Sequence, residues 1–205
     1  MNKETAFLHP SVICDNTAHL GAGVKVWQFS SIQKHAEIGD GCILGQSVNI
    51  GANVKIGKKC KIQNNVSVYE GVELEDYVFC GPSMVFTNIM VPRSKYPQAE
   101  SHLYLKTLVK EGASIGANAT IVCGTVLGRF CLIGAGSVVI RDVPDFAVMV
   151  GNPARQIGWV SEAGEMLDFS TSECHKCSKT GIMYRLNNNV VTDDTHVDTK
   201  NNSRK

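Results

Sequence analysis

The sequence predicts an all-β fold, a parallel β-helix built from six-residue repeats, and three observations predict it. Every sixth residue from position 8 to position 86 is apolar: Leu8, Cys14, Leu20, Val26, Ile32, Ile38, Leu44, Ile50, Ile56, Ile62, Val68, Leu74, Cys80 and Phe86. Four places after these sits a small or branched residue, as at Val24, Ser30, Ala36, Cys42, Val48, Val54, Cys60, Val66, Val72 and Val78. Glycine follows the apolar residue at Gly21, Gly39, Gly45, Gly51, Gly57 and Gly81. A helix cannot use this period. At about 100° per residue, six steps send successive apolar side chains to three different faces. A strand repeats every two residues, so a six-residue step always returns to the same side. The unbroken register therefore reads as short strands joined by tight corners.

Taken in order, the first residues, Met1 to Phe7, lie outside the register and are expected to cover the open end of the solenoid. The repeats then run to Phe86. The next apolar anchor is Val109, and that separation is not a multiple of six. Residues 87–108 are therefore expected to leave the solenoid as a protruding loop; they carry Pro92, Pro97, Tyr96, His102 and Tyr104. A long excursion inside a compact repeat is usually functional or disordered, and the aromatic content favours the ordered option. The register resumes through Val109, Ile115, Ile121, Leu127, Ile133 and Val139 and stops at Pro144. Gly151-Asn152-Pro153-Ala154-Arg155 and Gly158-Trp159 follow, and the stretch to Phe169 is expected to hold a short helix against the last coil. The β-helix domain thus spans 1–169. Residues 170–205, rich in Asn, Thr, Asp, Ser and Lys, read as a polar, flexible tail.

Composition excludes several classes. The formal net charge of the 205 residues is +1, and Lys and Arg form no stripe, which argues against nucleic acid as a partner. The first ten residues contain no apolar leader, and nowhere do eighteen apolar residues run together, so a cytoplasmic protein with no membrane segment is expected. Of the 8 cysteines, Cys14, Cys42, Cys60, Cys80 and Cys131 occupy apolar or small positions of the repeat and read as buried hydrophobes. Cys174-His175-Lys176-Cys177 is half of a zinc ribbon without a second Cys-x-x-Cys, so no metal is expected.

The repeat, an aliphatic residue, Gly, two free positions and a small residue, resembles the hexapeptide-repeat acyltransferases. That resemblance implies a left-handed helix of three flat faces. A narrower resemblance rests on Lys61 to Val72, Val78 to Asn88, Pro92-Arg93-Ser94, Gly116 to Gly124 and Gly151 to Arg155. These stretches are similar to the nucleotide-amino-sugar N-acetyltransferases, and within them to enzymes that acetylate the 3-amino group of UDP-2-acetamido-3-amino-2,3-dideoxyglucuronate for surface-polysaccharide synthesis. Acetyl-CoA as cosubstrate and a homotrimer with sites between subunits are implied. Enzymes for dTDP-linked 3-amino-6-deoxyhexoses are similar around residues 92–97 and form the alternative. A non-catalytic binding solenoid is the remaining one, and the loop argues against it. Gln28 and Ser47 stand where His and Asn are frequent in close relatives.

The resemblance gives the residues roles. Asn88, at the root of the loop, would orient the amine through its side-chain carbonyl, and His102 is the rival as a general base. His35, inside a repeat, reads as structural. Gln28, Gln46, Gln63, Asn64, Asn65, Tyr69 and Arg93 would bind the sugar nucleotide. Gly116, Ala117, Asn118, Ala135, Arg141 and Arg155 would hold the coenzyme, the glycine by admitting close backbone approach and the arginines by pairing with phosphates. An amine with a pKa near 8 is partly neutral at cellular pH and attacks a thioester without a strong base. Alignment and oxyanion stabilisation are then what the protein must supply.

Overall fold

A computed structural model of the chain describes residues 5–96 and 103–196. Its body is a three-faced parallel β-solenoid, consistent with the left-handed β-helix expected. Most strands are two residues long, from β1 (Phe7–Leu8), β2 (Ile13–Cys14) and β3 (His19–Leu20) to β20 (Val138–Val139). The chain returns to the same face every 18 residues, as Lys25 opposite Ile43 and Ser31 opposite Asn49, and after 35 where the loop is inserted, as Phe79 opposite Ser114. The first face holds β1, β4 (Lys25–Val26), β7 (Ile43–Leu44), β10 (Lys61–Ile62), β13 (Phe79–Cys80), β16 (Ser114–Ile115), β19 (Leu132–Ile133) and β21 (Ala147–Gly151), the second β2, β5 (Ser31–Ile32), β8 (Asn49–Ile50), β11 (Ser67–Val68), β14 (Val85–Phe86), β17 (Thr120–Ile121) and β20, and the third β3, β6 (Glu37–Ile38), β9 (Lys55–Ile56), β12 (Val72–Leu74), β15 (Thr107–Val109) and β18 (Val126–Leu127).

The repeat explains the packing. The apolar residue that ends each strand points inward, and so does the small residue just before the next strand. Val26, Ile32, Leu44, Ile50, Ile62, Val68, Ile115 and Ile121 are fully buried in columns, with Val24, Ala36, Cys42, Cys60, Val66 and Ala113 between them. Burial pushes the thiols of Cys80 and Cys131 up to about 12, so both act as inert hydrophobes. The corners need small or left-handed residues. Asn53, Asn65, Ser47, Ser83 and Asn118 all have φ between 56° and 62°. A Cβ on Gly45 would collide with the Asn64 Oδ1, which accepts a 3.0 Å bond from the Gln46 amide in the coil below. The same device seals another edge, where Asp40 caps Ala22 and Asp76 caps Lys58 at 2.8 and 2.7 Å.

The structure departs from expectation at three places. Phe7 is already in β1, paired with Lys25, and residues 1–4 of the expected cap lie outside the described residues. The loop returns earlier than the apolar register suggests: β15 (Thr107–Val109) pairs with β12 (Val72–Leu74), so Thr107 and Leu108 belong to the solenoid. The segment before Phe169 is strand rather than helix. There β21 (Ala147–Gly151), β22 (Ala154–Val160) and β23 (Met166–Leu167) extend the first face as an antiparallel ribbon. Its long, half-apolar strands bury Ala147, Val148, Met149, Trp159 and Val160, and sheet extension outweighs any helical preference.

The tail departs furthest. Strands β24 (Cys174–Lys176), β25 (Met183–Asn187) and β26 (Val190–Asp193) form an antiparallel sheet, closed by a 3-10 turn at Asp194–His196. Tyr184 is completely buried, its ring edge-on to Phe146 at 5.4 Å, and Phe146 stacks on Phe130 at 5.6 Å. Arg129 joins the two parts, with Nε 3.2 Å from Asp145 and Nη2 3.6 Å from the buried Asp193. The expected flexible tail is, through residue 196, a folded end cap.

Candidate active site

The solenoid sorts the sequence-predicted residues by column. Gln28, Gln46, Asn64, Ala117 and Ala135 occupy equivalent positions on the edge between the first and second faces. Gln63 and Gly116 precede this column by one residue; Asn65 and Asn118 follow it. Nine of the predicted residues therefore share one edge, with the proposed sugar-nucleotide set in the earlier coils and the proposed coenzyme set in the later ones. Side chains are linked along it: Gln28 Nε2 donates to Gln46 Oε1 at 3.4 Å.

Asn88 is on another edge, between the second and third faces, where the chain leaves β14 (Val85–Phe86) for the loop. Tyr69 and Arg141 occupy the same edge, below and above it. Asn88 is fixed from both sides. Its Nδ2 donates to the Glu70 carbonyl at 3.5 Å, and its own carbonyl accepts the Leu105 amide at 3.0 Å, closing the loop's root. Among the described residues its Oδ1 takes no hydrogen bond. It remains an acceptor for a ligand. Thr87 reinforces the root, its Oγ1 accepting the Cys123 amide at 2.9 Å.

The other predicted residues do not converge on Asn88. Arg93 is exposed in the loop and donates to the Pro92 carbonyl at 2.8 Å. Arg155 lies exposed in the terminal ribbon, donating to the Ala154 carbonyl at 3.0 Å. His102 lies outside the described residues. His35 is an exposed corner residue with φ 57°, its amide bonded to Thr17 Oγ1. Sequence reasoning missed a cavity of about 340 Å³ on the third-face side of Asn88, lined by Asn53, Lys55, Glu70, Glu73, Tyr104 and Lys106 among others. Only the loop's return brings Tyr104 and Lys106 there, so no spacing in the sequence could have placed them. Among the described residues, no group of three His, Cys, Asp or Glu side chains is arranged to hold a metal.

The relatives agree with this architecture. The family described as bacterial transferase hexapeptide (six repeats) matches residues 17–52, and the hexapeptide repeat of succinyl-transferase matches 36–70 and 111–141. A dTDP-3-amino-3,6-dideoxy-alpha-D-galactopyranose 3-N-acetyltransferase from Aneurinibacillus thermoaerophilus is 39% identical over 192 residues, 93% of this chain and 96% of its own length. The chain belongs to the hexapeptide-repeat N-acetyltransferases of nucleotide-linked amino sugars. A bifunctional protein GlmU from Prochlorococcus marinus is 32% identical over 73% of the chain, which spans 31% of that larger protein. Among solved structures, a hexapeptide-repeat acetyltransferase from Vibrio cholerae complexed with acetyl coenzyme A shares the fold at TM-score 0.51 and 23% identity, covering 60% of this chain and 70% of that one.

For an N-acetyltransferase of this family the arrangement has a clear chemical reading. Asn88 offers an uncharged amide oxygen at the margin of a cavity that Lys55, Glu70, Glu73 and Lys106 line. That suits an acceptor that is already a nucleophile. One copy of the chain, however, keeps its two candidate edges apart by the width of the second face, roughly 17 Å for five residues at about 3.3 Å each.

Proposed function

We propose that this N-acetyltransferase transfers the acetyl group of acetyl-CoA to the 3-amino group of a dTDP-linked 3-amino-3,6-dideoxyhexose. The observation that carries this reading is the 39% identity, across 93% of the chain, to an enzyme named for a dTDP-linked 3-amino sugar. It takes the place of the expected UDP-linked uronate.

In the proposed reaction the neutral amine attacks the thioester carbonyl while Asn88 Oδ1 accepts one of its N–H bonds. A C–N bond forms, the tetrahedral oxyanion collapses, and the C–S bond breaks to release the coenzyme. The amine's surplus proton leaves through water or to the departing thiolate, since an amide cannot carry it. The early coils of the first–second edge would take the nucleotide sugar. Gly116, Ala117, Asn118, Ala135, Arg141 and Arg155 would take the coenzyme. Both halves meet if the chain is a homotrimer about an axis parallel to the solenoid, with one copy's first–second edge facing the next copy's Asn88.

The test is release of free coenzyme A thiol when amino sugars are supplied with acetyl-CoA. Rapid release with dTDP-3-amino-3,6-dideoxygalactose or its gluco epimer is expected. A higher kcat/KM for the UDP-linked 3-amino uronate would return the enzyme to the other substrate class.

A further inference from the structure

We infer that the nucleobase of the substrate is held by Trp27, Phe29, Gln28 and Gln46, at the amino-terminal end of the first–second edge. The inference rests on the proposed function and assigns a subsite within it. Three observations support it. Trp27 and Phe29 flank Gln28 and present their rings to solvent, 43% and 73% exposed. Phe29 has φ 61°, the corner conformation that Tyr77, Phe130 and Phe146 also adopt elsewhere, but on this edge the equivalent corners of the coils above hold the small or polar Ser47, Asn65, Ser83 and Asn118. The register also places Gly45 directly above Trp27, so no side chain from the next coil covers the indole. From the other side Phe7 props it, edge-on at 5.7 Å.

The polar complement fits a pyrimidine. Gln28 Nε2 and Gln46 Oε1 satisfy each other, which leaves Gln28 Oε1 and Gln46 Nε2 without a protein partner among the described residues. An acceptor beside a donor matches the imide edge of thymine, whose N3–H donates and whose O4 or O2 accepts. Exchanging O and N in both amides leaves the same complement. Exposed aromatics beside it provide a stacking surface for the base.

The spacing fits as well. Gln28 belongs to the coil of β4 (Lys25–Val26) and β5 (Ser31–Ile32), and Asn88 to the coil of β13 (Phe79–Cys80) and β14, three coils on. Coils are one strand spacing apart, about 4.8 Å, so the axial separation is roughly 14 Å. Rotation about an axis parallel to the solenoid does not change that level. A ribose, a diphosphate and half a pyranose bridge such a length, and Gln63, Asn64 and Asn65 lie between.

The experiment titrates the intact protein with dTDP. Quenching of tryptophan emission is expected in the wild type. It should vanish in Trp27→Phe, which leaves the buried Trp159 as the one remaining indole. Trp27→Ala, Phe29→Ala and Gln28→Leu should each weaken dTDP binding about tenfold by calorimetry. In each, KM for the nucleotide sugar should rise by more than kcat falls, and KM for acetyl-CoA should stay put. An active enzyme whose three variants bind dTDP as tightly as the wild type overturns the subsite. A wild type that binds dTDP through Trp27 but acetylates no dTDP-linked amino sugar overturns the functional reading and leaves the subsite standing.

Discussion

At the scale of single residues, the proposed reaction turns on the amide of Asn88. Its nitrogen donates to the Glu70 carbonyl, which turns Oδ1 away from that carbonyl, while its backbone carbonyl accepts the Leu105 amide and holds the loop's root. What remains is one oriented acceptor. Asn88→Ala should lower kcat by about tenfold, the loss of one orienting hydrogen bond of ~1.4 kcal/mol in the transition state. Steady-state kinetics at saturating acetyl-CoA would check this. Unchanged turnover would reduce Asn88 to a corner residue. The place of Asn88 at the loop's root was legible because the break in the six-residue register falls beside it, and the family resemblance alone suggested its role. The orientation of its amide was not, because Leu105 approaches only after the loop has folded back.

At the scale of elements, the carboxy-terminal sheet is the part the sequence conceals. Hexad periodicity ends before it, and its polar composition reads as tail. A local signal was present nonetheless. Ile182, Tyr184 and Leu186 alternate inward, and Asn188-Asn189, both at positive φ, form the hairpin turn before Val190. Truncation after Phe169 removes Tyr184 from Phe146 and bares the last coil. Losing one large buried aromatic costs about 3–5 kcal/mol. We expect a fall in Tm of about 10 °C by calorimetry, whereas an unchanged Tm would mean that the sheet merely rests on the solenoid.

The docking of this sheet is also pH-dependent. Glu165, in the turn between β22 and β23, is pulled down to about 2, chiefly by the Ser178 hydroxyl and amide and then by His175. His175 is raised, chiefly by Glu165, whose Oε1 is 3.3 Å from Nε2. The depressed carboxylate contributes stability above its ordinary value of 4.5, lost as pH falls toward about 2. The raised imidazole contributes fully below its ordinary 6.5, and that part is lost as pH rises through the folded value. Protection factors for amide exchange in residues 174–193, taken relative to the free amide at each pH, should therefore be highest between about pH 4.5 and 6.5. Glu165→Gln should flatten the profile, and a profile unchanged by that substitution would sink the assignment.

At the scale of the whole molecule, the period, with the three faces that the family resemblance implied, specified most of the architecture. Six-residue spacing fixes which residues point inward, and three hexads per coil fix which side chains share an edge. Gln28, Gln46 and Asn64 fall in one column for that reason, and Ala117 and Ala135 join it through the register that the loop's return sets. What no single chain can supply is contact between that column and Asn88, which the second face holds apart. Ile13 on that face is 76% exposed and Val85 45%, apolar side chains suited to a neighbour. A closed ring of three copies would cover them and bring the first–second edge of each copy to the Asn88 edge of the next. Light scattering at micromolar concentration should then give three times the chain mass. Subunit mixing gives a sharper outcome. One variant, Asn88→Ala, spoils only the second–third edge, and another, Trp27→Ala with Gln63→Ala, spoils only the first–second edge. Any mixed ring of the two restores intact edges at roughly one site in three. Coexpressed variants should therefore recover activity that neither shows alone at substrate concentrations below the raised KM. Recovery fails if both edges of a site come from one copy, and that result would end the shared-site arrangement.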